Sequence, residues 1–165
     1  MAVMGEITTL CYIERDGQYL MLHRVKKKED INAGKWIGLG GHILPGESPD
    51  DCVVREVLEE SGLRLTSYRI RGIITFCQEG REAEYMVFST AAGGAGGLTE
   101  CDEGDLSWVR KEQVFKLPLW EGDKIFLRLL LEDGDFFSLK LCYRGDLLEG
   151  AVLNGKSLDS FRITL

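Results

Sequence analysis

No stretch of this chain comes near the roughly 20 consecutive apolar residues that a membrane-spanning helix needs, so no membrane partner is expected. The opening MAVMGEITTL has neither the basic start nor the long apolar core of a secretion signal, which makes a cytoplasmic location the expectation. Paired cysteine is missing too. Cys11, Cys52, Cys77, Cys101 and Cys142 are odd in number, widely spaced and form no C-x-x-C. That argues against a disulfide framework and against a cysteine zinc site, leaving free thiols that suit a core. Positive charge is in deficit, with 20 Lys and Arg against 27 Asp and Glu and a net charge of −7. Such a surface repels a phosphate backbone, so no stable duplex nucleic acid is expected as a partner. A small anionic substrate stays open, because a bound divalent cation inverts the local field.

What is present fits one domain spanning 1–165, as monomer or homodimer, at a length that can bury its own core. There is no repeat, no heptad run and no linker. Residues 6–14 and 18–25 run apolar on either side of Asp16-Gly17, a two-residue hairpin signal. After the basic Lys26 to Lys28 comes a Gly-rich segment, GKWIGLGGHILPGES, then a helical pattern from Pro49 to Ser61. Residues 66–77 and 83–91 read as a second strand pair, GGAGG as a flexible loop, and 107–110 as a short strand. A second helix is expected over 123–131, with further strands near 136–143 and 158–164. Strands interrupted by two helices imply an α+β fold, a mixed sheet between helices.

The helix at 49–62 has explicit ends. Ser48 suits the N-cap, Pro49 the first position, Asp50 and Asp51 the positive end of the dipole, and Gly62 the stop. At about 100° per residue, Val53, Val54, Val57 and Leu58 gather on one side and Glu56, Glu59 and Glu60 on the other. One reading is a solvated acidic face. Against it, like charges three and four residues apart repel, and Arg55 is the helix's only cation. Convergent carboxylates of this kind suit the hard cations Mg²⁺ and Mn²⁺.

From Gly41 the chain reads G-x5-E-x7-R-E-V-x-E-E-x-G-L, through Glu47, Arg55, Glu56, Val57, Glu59, Glu60, Gly62 and Leu63. This resembles the Nudix box at every defined position. The flanking GKWIGLGGHILPGES and LPLWEGDKIFLRLLL resemble the MutT-type 8-oxo-dGTP diphosphatase branch of that family. The resemblance implies an α/β/α sandwich with a mixed central β-sheet and a loop–helix–loop that binds Mg²⁺, or Mn²⁺, on a substrate diphosphate. It makes Glu59 and Glu60 the leading metal ligands with Glu56 as a third. It pairs Glu47 with Arg55, and gives Gly41 either a ligating carbonyl or a close approach. Glu103 matches a downstream glutamate that serves as ligand or base, and the general base falls within Glu59, Glu60 and Glu103.

Such an enzyme would cleave a purine nucleoside triphosphate to the monophosphate and pyrophosphate, a nucleotide-pool sanitation reaction. Trp120 would then stack on the base, or pack in the core. Asp123 would bond the base edge, or cap a helix. Arg24 lies near a basic residue of those relatives, with Lys26 to Lys28 as the alternative contact to the triphosphate. Two positions depart from the eukaryotic-type purine sanitizers, Ile37 in place of an asparagine and Gly122-Asp123 in place of paired aspartates, which reduces the polar base-recognition set. Other substrates within the family are ADP-ribose, dinucleoside polyphosphates and capped RNA. Markers for the first two are missing, since the only prolines are Pro45, Pro49 and Pro118 and no tyrosine stands at Glu79-Gly80. A non-catalytic ligand sensor is a further alternative, opposed by the intact box.

Overall fold

The computed structural model describes residues 5–159. Its frame is a mixed sheet in the order β3-β2-β1-β5-β4-β7-β8-β9, with β6 also paired to β2. The strands are β1 (Glu6–Arg15), β2 (Gln18–His23), β3 (Trp36–Ile37), β4 (Tyr68–Gln78), β5 (Glu84–Ala92), β6 (Asp105–Arg110), β7 (Phe137–Arg144), β8 (Leu147–Leu153) and β9 (Lys156–Ser157). β1 runs parallel to β5 and β4 parallel to β7, while the remaining pairs are antiparallel. The Asp16-Gly17 turn has φ of 51° and 73°, the positive values that a two-residue hairpin turn demands at both centres.

Helices α1 (Pro49–Ser61) and α3 (Asp123–Leu131), with the single turn α2 (Lys111–Val114) between them, are the helical elements among the described residues. Two apolar cores follow from strand alternation. Cys11, Ile13, Leu20 and Leu22 meet Val53 and Val57 of α1, whereas Leu10, Tyr12, Met21 and Phe88 meet Ile125, Phe126 and Leu130 of α3. That is the α/β/α sandwich.

Three expectations are corrected. Val54 is exposed while Cys52 and Ser61 are buried, so the apolar stripe of α1 is rotated from the one drawn above. β8 was not foreseen, because Glu149-Gly150 breaks the apolar run between Leu148 and Ala151. A strand near 158–164 falls mostly on residues outside those described; within them β9 ends at Ser157.

Candidate active site

The loop between β3 and α1 lies along the edge of β1. Leu39 and Cys11 exchange backbone hydrogen bonds of 2.9 and 2.6 Å, and the Thr9 N–H donates to the Gly41 carbonyl at 2.9 Å. A Cβ on Gly40 would stand 1.8 Å from the Thr9 carbonyl oxygen, so only glycine permits this approach. At Gly41 a Cβ would lie 2.5 Å from the Glu56 carboxylate. Gly41 therefore makes room for that carboxylate, and its carbonyl is already engaged by β1.

α1 begins with a complete capping box: the Ser48 hydroxyl accepts from the Asp51 N–H, and the Asp51 carboxylate accepts from the Ser48 N–H. The helix presents Arg55 to the loop. Its Nε and Nη2 donate to the two oxygens of Glu47 at 2.7 and 2.8 Å, and Nη2 also reaches the His42 carbonyl at 3.1 Å. Nη1 donates to Glu56 at 2.8 Å and to Glu59 at 3.2 Å. The Arg55 bonds, followed by the Leu44 N–H, hold the Glu47 carboxyl below its ordinary range.

Glu60 departs from the helical-wheel expectation. It is buried, and its carboxyl group accepts from the Gly40 N–H at 2.7 Å. Burial is the main cause that pushes this carboxyl well above the usual carboxylate range, and the Glu103 and Glu56 carboxylates push the same way. Glu103 arrives from the loop before β6. Its oxygens accept from Arg24 at 2.5 Å and from Lys27 at 3.1 Å, and Arg24 is held in turn by Asp30 at 2.7 Å.

Glu56 and Glu103 thus each disfavour the charged form of Glu60, and Glu59 stands exposed on the same helix. Among the described residues, no three His, Cys, Asp or Glu stand close enough together to hold a metal ion. Arg55, Arg24, Lys27 and the Gly40 N–H hold these carboxylates instead. Their chemistry is hard oxygen, and mutual repulsion of this kind is what a divalent cation relieves. Mg²⁺ and Mn²⁺ take such oxygen donors, and Glu56, Glu59, Glu60 and Glu103 are the carboxylates of this cleft that could turn to one if released from these partners.

A cavity of about 380 Å³ opens beside Glu103, and Leu10, Ile37, Phe76, Met86, Trp120 and Asp123 are among its lining residues. Trp120 is 4% exposed and packs edge-on against Phe76 and Tyr143, with the Lys35 ammonium 4.5 Å from its ring centre. It belongs to the core and to the cavity wall at once. Asp123 is not the N-cap of α3; that position is Gly122. The Asp123 carboxyl has no hydrogen bond among the described residues, and burial pushes it up to about 8 against the pull of Lys35.

A model of the NUDIX domain matches residues 6–130. This chain belongs to that family. The oxidized purine nucleoside triphosphate hydrolase of Mus musculus is 34% identical over 111 residues, covering 67% of this chain and 71% of the mouse protein. An uncharacterized Nudix hydrolase of Bacillus subtilis is 29% identical over 129 residues, 75% of this chain and 78% of that one. In three dimensions the MutT protein of Bacillus halodurans superposes with a TM-score of 0.81 at 25% identity, covering 92% of this chain and 99% of its own. The chain is accordingly a Nudix hydrolase, of a family that generally uses a divalent metal on small nucleotide substrates.

Within the Nudix frame the structure brings Gly41, Glu47, Arg55, Glu56, Glu59 and Glu60 together, and carries Glu103 and Arg24 to the same cleft. Of the three lysines at 26–28, Lys27 lines the cavity, while Lys26 donates to the Cys101 carbonyl at 2.8 Å. Sequence reasoning missed Asn32, Asp30 and Lys35. The Trp120 indole donates to Asn32 Oδ1 at 2.8 Å, which fixes the amide's orientation and leaves its NH₂ as the group available to the cavity. These three residues sit in an irregular loop without periodicity, where spacing carries no signal.

Proposed function

We propose that this Nudix hydrolase converts purine nucleoside triphosphates, oxidised ones such as 8-oxo-dGTP included, to the monophosphate and pyrophosphate, with Mg²⁺ or Mn²⁺ as cofactor. The observation that carries the reading is the joining of two unlike surfaces in one cavity. One part of its lining is Glu103, Arg24 and Lys27 with Gly40 and Gly41, whose backbone adjoins the Glu60 and Glu56 carboxylates. Another part is apolar, Leu10, Ile37, Phe76, Met86 and Trp120, beside the Asp123 carboxyl and the Asn32 amide, and about 380 Å³ accommodates a base.

Asn32 offers N–H donors, and Asp123 offers either an O–H or a lone pair according to its protonation. A purine edge presents both kinds of partner. Ile37, which replaces a polar residue of the eukaryotic-type sanitizers, removes one contact from that wall, and Asn32 restores an amide from a neighbouring loop. The 34% identity with the mouse oxidized purine nucleoside triphosphate hydrolase supports the same substrate class.

A divalent cation, when bound, neutralises the diphosphate oxygens and lowers the pKa of a water on it. The chain's own residues do the rest. Glu47 and Arg55 fix the loop, Arg24 and Lys27 meet the outer phosphates, and one of Glu59, Glu60 and Glu103 takes the proton of the attacking water.

The test is a panel of kcat/KM values for 8-oxo-dGTP, dGTP, a pyrimidine triphosphate, ADP-ribose and a dinucleoside polyphosphate, with products traced in ¹⁸O-water. The reading requires a purine triphosphate to lead the panel and ¹⁸O to enter the monophosphate. Preference for ADP-ribose, or release of orthophosphate and a nucleoside diphosphate, overturns it.

A further inference from the structure

A second cavity, of about 450 Å³, lies at the opposite end of β1, β4 and β5 and shares no lining residue with the first. Helix α3 runs between the two, with Asp123 in one wall and Leu130 and Leu131 in the other. In an acidic protein, three cations line the second cavity, Arg69, Arg71 and Lys111, against two carboxylates, Glu14 and Asp133.

Arg71 is the anomaly. It occupies the irregularity in the β4–β5 ladder, where the register jumps from Ile70 to Gly72. An extra residue of this kind re-aims a side chain. Here it carries an arginine side chain that is only 7% exposed. That group makes no hydrogen bond among the described residues, and its single ion pair is long, 3.6 Å to Asp133 Oδ1. The same oxygen accepts from Arg69 at 2.6 Å. The Tyr19 hydroxyl in the same wall also makes no hydrogen bond among the described residues. A buried guanidinium has five donors to satisfy, and leaving them unpaired is costly.

We propose that this cavity is a binding site for a phosphate-type oxyanion, held by Arg69, Arg71 and Lys111. Asp133 occupies the position in the ligand's absence. Its side chain is 75% exposed and bridges both arginines through one oxygen, so a tetrahedral oxyanion can take its place by a side-chain rotation. Once Asp133 leaves, two guanidiniums face the cavity uncompensated, which suits a dianion better than a carboxylate. Lys111 keeps Glu14 as its partner at 2.5 Å.

The probe is inorganic phosphate, added to the ¹⁵N-labelled full chain in EDTA at constant ionic strength, with chloride as control. Saturable amide shifts are expected at Arg69, Arg71, Lys111 and Asp133, and chloride should not reproduce them. Asp133→Asn removes the competing carboxylate, and asparagine tolerates the positive φ of 45° at that position. This variant should bind phosphate about 2- to 5-fold more tightly, the size of a lost exposed ion pair. Arg71→Met should abolish the shifts, and Asp133→Asn keeps the test decisive if Arg71→Met does not fold. Shifts confined to Gly38, Gly40 and Gly41, or none beyond chloride, overturn the proposal. So does unchanged or weaker binding by Asp133→Asn, which would leave the arginines as partners of Asp133 alone.

Discussion

Asp123 begins α3 inside an apolar wall, where Lys35 is the cation that favours its charged form and the Tyr12 and Tyr143 phenols face it from β1 and β7. With its carboxyl pushed up to about 8, the folded protein holds a proton there that the unfolded chain releases near pH 4. The stabilisation is therefore complete below about pH 4 and is lost as pH rises to about 8, at up to roughly 1.4 kcal/mol per pH unit. Asp123→Asn cannot titrate, so the variant should gain on the wild type between pH 5.5 and 8.5, as read by urea unfolding at both values. Parallel pH profiles would mean that Asp123 ionises normally. At the same site, Asp123→Ala should cost about 5- to 150-fold in kcat/KM for a purine over a pyrimidine triphosphate. Equal losses for all bases would make the residue structural. The glutamates carry a different expectation: Glu56→Gln, Glu59→Gln and Glu60→Gln keep volume but remove an oxygen ligand or base. Each should lower kcat/KM by about 10²–10⁴-fold with unchanged circular dichroism, and full turnover in excess EDTA would sink the metal-assisted chemistry.

At the scale of elements, α1 and the loop before it behave as one unit tied at two points. The Ser48 cap acts on the helix alone, so Ser48→Ala should cost about 1 kcal/mol of stability and leave kcat/KM nearly intact. Arg55 ties the helix to Glu47 and the His42 carbonyl, and Arg55→Met frees the loop that carries Gly40 and Gly41. Activity should then fall by up to about 100-fold, since small misplacements of a reacting geometry are costly; a change in the urea midpoint without loss of activity would contradict this. These elements were also the legible ones. Caps, stops and a fixed spacing of charged residues are local, and α1 from Pro49 to Ser61, α3 and the Asp16-Gly17 hairpin appear where local chemistry puts them. The grouping of Glu60 with Glu56 and Glu59 was legible, but its burial was not, because that depends on the Gly40 loop packing against it. Asn32 and Asp30 were invisible because their roles exist only through Trp120 and Arg24, distant or irregularly placed partners.

For the whole molecule, the cleft stores repulsion that folding alone does not relieve. Glu56 and Glu103 both act on the buried Glu60 in a chain of net charge −7, and the cations Arg55, Arg24 and Lys27 hold the two partners. A ligand that binds the folded state alone stabilises it by RT ln(1 + [L]/Kd), about 2.7 kcal/mol at a hundredfold excess over Kd. For a domain of this size each kcal/mol moves Tm by about 2–4 °C, so saturating Mg²⁺ should raise Tm by about 5–11 °C. Mg²⁺ should act through the cleft rather than through general screening. The control is NaCl at matched ionic strength, which should reproduce little of the rise because pairs within the cleft are shielded less than surface ones. Glu56→Gln and Glu60→Gln should each lose most of the Mg²⁺ response. Without metal they should melt no lower than wild type, since each removes one member of a repelling set. An equal rise in wild type and variants would place the cation elsewhere on the acidic surface and detach the carboxylates of α1 from metal binding.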